Sequence, residues 1–162
     1  MSIQYWVLVL AVRFLQNYPH LLEIAYDATH KLLQPFQRWL KPGGGVEKVF
    51  IQSEILSKGA IFNCQMCGQC VLHSTGMTCP MNCPKNLRNG PCGGVRADGH
   101  CEIKPEMPCV WVQAWERSKA MPLYGPEMLR VLPPVNRRLQ NTSAWINDVT
   151  GESKKAPVGW VE

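Results

Sequence analysis

The chain has 162 residues, among them 13 glycines, 13 prolines and eight cysteines, and a formal net charge of +5 at pH 7. This length favours one small domain and excludes a complete (β/α)8 barrel, which needs about 250 residues. The mildly basic balance, with acidic residues interspersed, is typical of a solvated surface, so no nucleic-acid partner is expected. We expect an N-terminal helical hairpin (residues 1–45), a cysteine-rich metal-binding domain (46–120) and an extended proline-rich arm and tail (121–162).

The N-terminal region is predicted to contain two helices. The first covers residues 3–17 and includes the apolar run Tyr5–Val12, which is shorter than the roughly 20 residues of a membrane-spanning helix. No basic residue precedes this run, unlike in a signal peptide, so we expect a cytoplasmic protein without a transmembrane segment. A second helix is predicted over residues 20–40, kinked or split at Pro35. Its apolar side chains recur every three or four positions and define a face that is expected to cover the protein's own metal core or a partner: Leu21, Ile24, Ala25, Ala28, Leu32, Phe36 and Leu40.

The segments on either side of the cysteines carry weaker signals. Residues 46–63 fit either a short strand or a helix that Gly59 ends. Residues 110–119 are predicted to be helical, with Trp111 and Trp115 packed beside the metal loop. Beyond residue 121 the prolines predict an extended arm, in which Ser143–Ile146 is an anchoring segment.

All eight cysteines lie in one segment of the chain, and this concentration indicates a metal-binding core. We expect this segment to consist of loops and turns, including a hairpin-like turn at Asp98-Gly99. The predicted fold class is therefore a small, metal-stabilised α-plus-irregular domain: helical hairpin, loop-rich eight-cysteine core, C-terminal helix and proline-rich arm. The predicted metal ligands are Cys64, Cys67, Cys70, Cys79, Cys83, Cys92, Cys101 and Cys109.

Iron–sulfur ligation is the first interpretation of these cysteines. The Cys-x2-Cys-x2-Cys triad that begins at Cys64, with a more distant cysteine followed by proline, is the ferredoxin-type arrangement for a [4Fe–4S] cluster. Cys79 and Cys83 are both followed by proline, so both are candidates for the distant ligand. Four cysteines then remain for a second cluster. The spacing predicts one or two clusters and does not assign the cysteines between them.

Structural zinc is the alternative interpretation. Zinc takes four ligands and often draws them from two Cys-x2–4-Cys pairs, with histidines such as His73 or His100 as substitutes. Because zinc does not change its oxidation state, a zinc site would make this segment a scaffold or a docking surface. A disulfide framework is a third possibility, which the lack of a signal peptide disfavours. No catalytic residue and no organic cofactor site is identified.

The cysteine segment resembles the methylenetetrahydrofolate reductase C-terminal domain family, which includes the cysteine-rich subunit of the acetogen-type reductase. The resemblance rests on residues 64–72, 79–85 and 87–95, and on Cys101-Glu102 with residues 108–111. It implies a non-catalytic accessory or electron-transfer subunit of a flavin-dependent methylenetetrahydrofolate reductase. The implied partners are the flavin-containing barrel subunit and, further, an electron-donor protein. For the metal, the resemblance modestly favours iron–sulfur over zinc.

Overall fold

The computed structural model describes residues 14–155 together with residues 157 and 159, and the structural statements below refer to this part of the chain. Long loops join its α-helices, and an isolated antiparallel bridge between His100 and Pro108 is the β-pairing found there. No helix among these residues is both long and apolar enough to cross a membrane. The α-helices are α1 (Pro19–Leu33), α2 (Gly45–Phe62), α3 (Val110–Ser118) and α4 (Ala144–Val149).

Short 3₁₀ turns supply the remaining regular structure. They lie at Phe14–Asn17, Gln34–Phe36, Leu72–Thr75, Pro80–Asn82, Gly125–Leu129, Arg137–Leu139 and Glu152–Lys154. The molecule is thus helical with an irregular cysteine-rich middle, as predicted, and two of these turns lie among the cysteines. The first predicted helix lies mostly outside the described residues.

Helix α1 begins at Pro19 and ends just before Pro35. A proline is tolerated in the first turn, because its missing N–H would have no intrahelical partner there. Pro35 lies in the following 3₁₀ turn, so the predicted helix over residues 20–40 is split rather than continuous. The split leaves α1 as a separate rod of 15 residues.

The predicted apolar face does not pack on the protein's own core along α1, so of the two expected roles the covering of a partner remains a prediction. Its large members in α1 and the following turn are more than half exposed, namely Leu21 52%, Ile24 57%, Leu32 67% and Phe36 51%, whereas Leu40 at the far end of the predicted face is 6% exposed. The opposite side is buried because Glu23 accepts the backbone N–H groups of Leu123 and Tyr124, at 2.9 and 2.5 Å. A carboxylate that satisfies two backbone donors can be buried where a solvent-facing residue was expected.

Helix α2 resolves the ambiguity of residues 46–63 in favour of a helix. It continues through Gly59, the predicted end, to Phe62. Asn63 then adopts the left-handed conformation, with a φ of 52°, and its N–H bonds to the carbonyl of Gly59 at 3.0 Å. Phe62 is 8% exposed and belongs to the core, so its burial extends the helix past a residue of low helix propensity.

The main apolar core lies beneath the cysteine loops rather than between helices. Tyr26 of α1 packs on its edge, and so do two of the cysteines. Because its members come from residues 62 to 121, the core orients the cysteine segment directly. The buried members are Phe62, Leu72, Met77, Cys79, Met81 and Met121.

Two carboxylates of α2 fix the start of α4, since Glu47 accepts the backbone N–H of Ser143 at 3.1 Å and Glu54 accepts three further donors. Glu54, 1% exposed, accepts the hydroxyl of Ser143 at 2.6 Å and the backbone N–H groups of Ala144 and Trp145 at 3.2 and 3.1 Å. A negative charge is favourable at this end of a helix, where N–H groups lack intrahelical partners. The predicted anchoring segment Ser143–Ile146 is therefore the buried start of a short helix.

Helix α3 forms where the sequence predicted it, but its two tryptophans differ. Trp111 is 4% exposed and donates its indole N–H to the carbonyl of Leu87 at 3.2 Å, inside the cysteine segment. Trp115 is 46% exposed, with the ammonium of Lys119 5.5 Å from its ring centre. The predicted packing beside the metal loop is thus right for Trp111 and wrong for Trp115.

Candidate metal centres

The eight cysteines divide into two groups of four, and each group lines its own cavity. The first quartet is Cys64, Cys67, Cys70 and Cys79. The second quartet is Cys83, Cys92, Cys101 and Cys109. All eight cysteines are free in the structure, and no disulfide joins them. The cavities also distinguish the two Cys-Pro candidates, because Cys79 accompanies the triad and Cys83 does not.

The loop of the first quartet reverses direction twice between Cys64 and Cys70. Met66 and Gly68 both have a positive φ, 48° and 71°. A β-carbon at Gly68 would lie 2.0 Å from the carbonyl oxygen of Leu139, so only glycine fits this close approach. These two reversals let three cysteines spaced two residues apart line the same cavity.

Later segments of the chain hold this loop in place. The buried side chain of Gln69 accepts the N–H of Asn136 at 2.6 Å and donates to the carbonyl of Ser153 at 3.1 Å. Asn147 donates its side-chain amide to the carbonyl of Gly68 at 2.9 Å. The part of the predicted arm from residue 136 to residue 153 therefore folds back on the first quartet.

Cys79 of the first quartet is buried, and the other three cysteines are partly buried. Burial raises the pKa of Cys64 to about 11 and the pKa of Cys79 to about 12. Burial likewise raises the pKa of Cys70. Without a metal these thiols are therefore protonated at neutral pH, and each would release its proton on becoming a metal ligand.

Two buried cations line the cavity of the first quartet, Lys58 and Arg88. Lys58 is 7% exposed and its ammonium lies 3.0 Å from the carboxylate of Glu54. Arg88 is 8% exposed, and its guanidinium is 3.4 and 3.5 Å from the carbonyl oxygen of Gln69. Neither cation was singled out from the sequence. The i, i+4 spacing of Glu54 and Lys58 was the available signal for one, and the position of Arg88 among the cysteines for the other.

The second quartet is built around the predicted turn at Asp98-Gly99. Just beyond it, Cys101 donates its N–H to the carbonyl of Met107, and Cys109 donates to that of Gly99, both at 2.9 Å. Lys85 and Glu102 line this cavity as an ion pair. The positive charge of Lys85 is thus balanced by the carboxylate of Glu102 within the same cavity.

The two quartets are neighbours along the chain. Only the 3₁₀ turn Pro80–Asn82 separates Cys79 of the first from Cys83 of the second. Even four fully extended residues reach no further than about 14 Å, and this turn is not extended. The two cavities therefore lie side by side.

The two histidines considered as substitute ligands line neither cysteine cavity. The His73 ring stacks on Tyr26 with 4.9 Å between ring centres, and its Nε2 lies 3.4 Å from Glu127. The N–H of His100 bonds to the carboxylate of Asp98 at 3.0 Å. Within residues 14–155, no three His, Cys, Asp or Glu side chains are arranged to hold a single metal ion. We therefore assign each cysteine to a quartet by the cavity that it lines, and not by metal-ligand geometry.

The donor sets nevertheless fit a thiolate-ligated centre. Each cavity offers four free thiols, the number that a [4Fe–4S] cluster or an all-cysteine zinc site requires. The first also contains an orphan donor, because Nε of Arg88 is buried without a hydrogen-bond partner among the described residues. A bound anionic centre would supply the missing negative charge.

Comparison with known proteins gives one match. Neither the curated proteins nor the solved structures yield a counterpart to this chain. The family model described as "Methylene-tetrahydrofolate reductase C terminal" matches residues 44–138, more than half of the chain and a range that contains both quartets. The chain therefore belongs to the methylenetetrahydrofolate reductase C-terminal family.

Proposed function

We propose that the chain is a metal-binding accessory subunit of a flavin-dependent methylenetetrahydrofolate reductase, and that its two quartets hold [4Fe–4S] clusters. The observation that carries this proposal is the position of Cys79, which lines the same cavity as the triad and is followed by Pro80. A triad joined by a distant Cys-Pro is the ferredoxin-type ligand pattern. Membership of the family supports the association with a reductase.

A bound iron–sulfur cluster supplies one-electron transfer. The chain's own residues would keep the site dry and hold the two centres close together. Phe62, Leu72 and Met81 line the first cavity and limit the access of water, which is one of the factors that set a reduction potential. The turn Pro80–Asn82 keeps the quartets adjacent, as a relay toward a partner's flavin requires.

The exposed apolar stripes of α1 and α2 are our candidate surface for the flavin-containing subunit. Val49 and Leu56 are seven residues apart, which places them on the same face of α2, and they are 69% and 73% exposed. Leu21 and Ile24 form a similar stripe on α1. Exposed apolar side chains grouped in this way are typical of protein interaction surfaces.

Metal analysis of protein purified without oxygen tests the cofactor. Two clusters predict about eight irons and eight sulfides per chain and a visible absorption that bleaches on reduction. Cys79→Ser and Cys101→Ser form a matched pair, one from each quartet, and each is expected to remove about half of the iron. Colourless protein with stoichiometric zinc would replace this proposal with the structural zinc module, whose chelation unfolds the cysteine segment without a redox signal.

Co-purification with the flavin-containing subunit tests the partner. The double variant Val49→Ser/Leu56→Ser is expected to weaken the complex at least tenfold, because it removes two large apolar contacts from the proposed surface. Lys48→Ser, an exposed change on the same helix, is the matched control and is expected to retain binding. Equal affinity of the double variant and the control would refute this docking surface.

A further inference from the structure

Arg88 occupies an unusual electrostatic position. Arg88 is 8% exposed and lines the cavity of the first quartet, and its Nε has no hydrogen-bond partner in the part of the chain that the structure describes. Its Nη atoms lie 3.4 and 3.5 Å from the carbonyl oxygen of Gln69, and the sulfur of Cys67 is close to the guanidinium. Within the described residues no carboxylate forms an ion pair with it.

A buried charge without a partner costs several kcal/mol, so buried cations are normally paired. Lys58 obeys this rule through Glu54, although it lines the same cavity. The negative groups available to Arg88 are instead the sulfur atoms of the quartet. Cysteines ligate a metal centre as thiolates, so a loaded quartet would place negative charge beside the guanidinium.

We infer that Arg88 is the counter-ion of an anionic centre held by the first quartet, and that it sets the reduction potential of this centre above that of the second. This inference rests on the proposed function. Each electron that a reductant adds makes a thiolate-ligated cluster more negative by one charge. A fixed, unpaired cation beside the first quartet stabilises that added charge in a site of low dielectric constant.

Among the described residues, no uncompensated cation lines the cavity of the second quartet. Lys85 lines its cavity, but Glu102 is paired with it and also lies 3.6 Å from the sulfur of Cys92. The two charges largely cancel, and both side chains are 37% exposed, so solvent screens them further. The two cavities therefore differ by about one buried positive charge.

A redox titration with dithionite, followed by electron paramagnetic resonance, tests the inference on the cluster-loaded full-length chain. Wild type is expected to show two one-electron waves. Arg88→Gln is expected to shift only the higher wave to a more negative potential, by at least tenfold in the reduction equilibrium, or about 59 mV. Arg88→Lys retains the charge and is expected to stay close to wild type. Lys48→Gln makes the same change in net charge at an exposed position of α2 and is expected to leave both waves in place.

The outcomes separate this inference from the proposed function. Unchanged waves in cluster-loaded Arg88→Gln, or equal shifts in Arg88→Gln and Arg88→Lys, would overturn the inference alone. Loss of half the iron and of the higher wave in Arg88→Gln, with both retained in Arg88→Lys, would support it. A wild-type chain without iron and sulfide would overturn the proposed function and the inference together.

Discussion

The carboxylate of Glu54 is the contact whose loss should most affect the fold. It accepts hydrogen bonds from the Ser143 hydroxyl, two backbone N–H groups at the start of α4 and the Lys58 ammonium, at 2.6 to 3.2 Å. Glu54→Gln keeps the volume but removes the charge, and it leaves Lys58 buried and unpaired. Removing one partner of a buried ion pair costs about 3–5 kcal/mol, so we expect a loss of about that size.

Urea unfolding of the full-length chain, followed by circular dichroism, measures this loss as a lower midpoint at an unchanged m-value. The double variant Glu54→Gln/Lys58→Met has no unpaired buried cation. Its loss of unfolding free energy should therefore be smaller than the sum of the losses in the two single variants, by about 1–3 kcal/mol. Glu116→Gln, which breaks an exposed pair with Lys119, is the control, with an expected loss below about 0.5 kcal/mol. A Glu54→Gln loss below about 1 kcal/mol, or strictly additive losses, would refute the reasoning.

Two further predictions concern the first loop and its surroundings. Gly68→Ala places a β-carbon 2.0 Å from the Leu139 carbonyl and should cost about 2–4 kcal/mol in urea unfolding, whereas Gly90→Ala, with nothing within 4 Å, should cost about 1 kcal/mol from its positive φ alone. Burial lowers the pKa of His73 in the folded chain. On acidification the unfolded chain therefore takes up this proton at a higher pH than the folded chain does. The free energy of unfolding should fall as the pH drops from the unfolded pKa of about 6.5 toward the lower folded pKa. His73→Phe should make this decline shallower, and identical pH profiles would contradict it.

Local patterns predicted α1 and α3, because a 3.6-residue period and flanking prolines are properties of neighbouring residues, but they left α2 undecided between strand and helix and did not predict α4. The sequence could not show which face of α1 is buried. Its apolar stripe is exposed, and Glu23 is buried because it satisfies backbone donors of Leu123 and Tyr124, about 100 residues away in the chain. The end of α2 was misplaced for a related reason, since Phe62 packs in the core and extends the helix through Gly59.

In the cysteine segment, too, the features set by neighbouring residues were predicted and those set by contacts between distant residues were not. Its location, its irregular structure and the turn at Asp98-Gly99 followed from composition and spacing. The division into quartets did not, because Cys79 and Cys83 are both followed by proline and have equivalent local sequences. The 3₁₀ turn between them sends the two side chains to different cavities.

The anchoring of Gln69 bears on when the first quartet acquires its shape during biosynthesis. Its two side-chain partners, the N–H of Asn136 and the carbonyl of Ser153, lie C-terminal to Cys109, the last cysteine, and are therefore synthesised after all eight thiols. A nascent chain that ends shortly after Cys109 therefore lacks the hydrogen bonds that hold Gln69, and with it the triad loop, in place. A metal centre bound at that stage would be held by a loop without these hydrogen bonds. Synthesis of the C-terminal residues would then fix the loop around the bound centre.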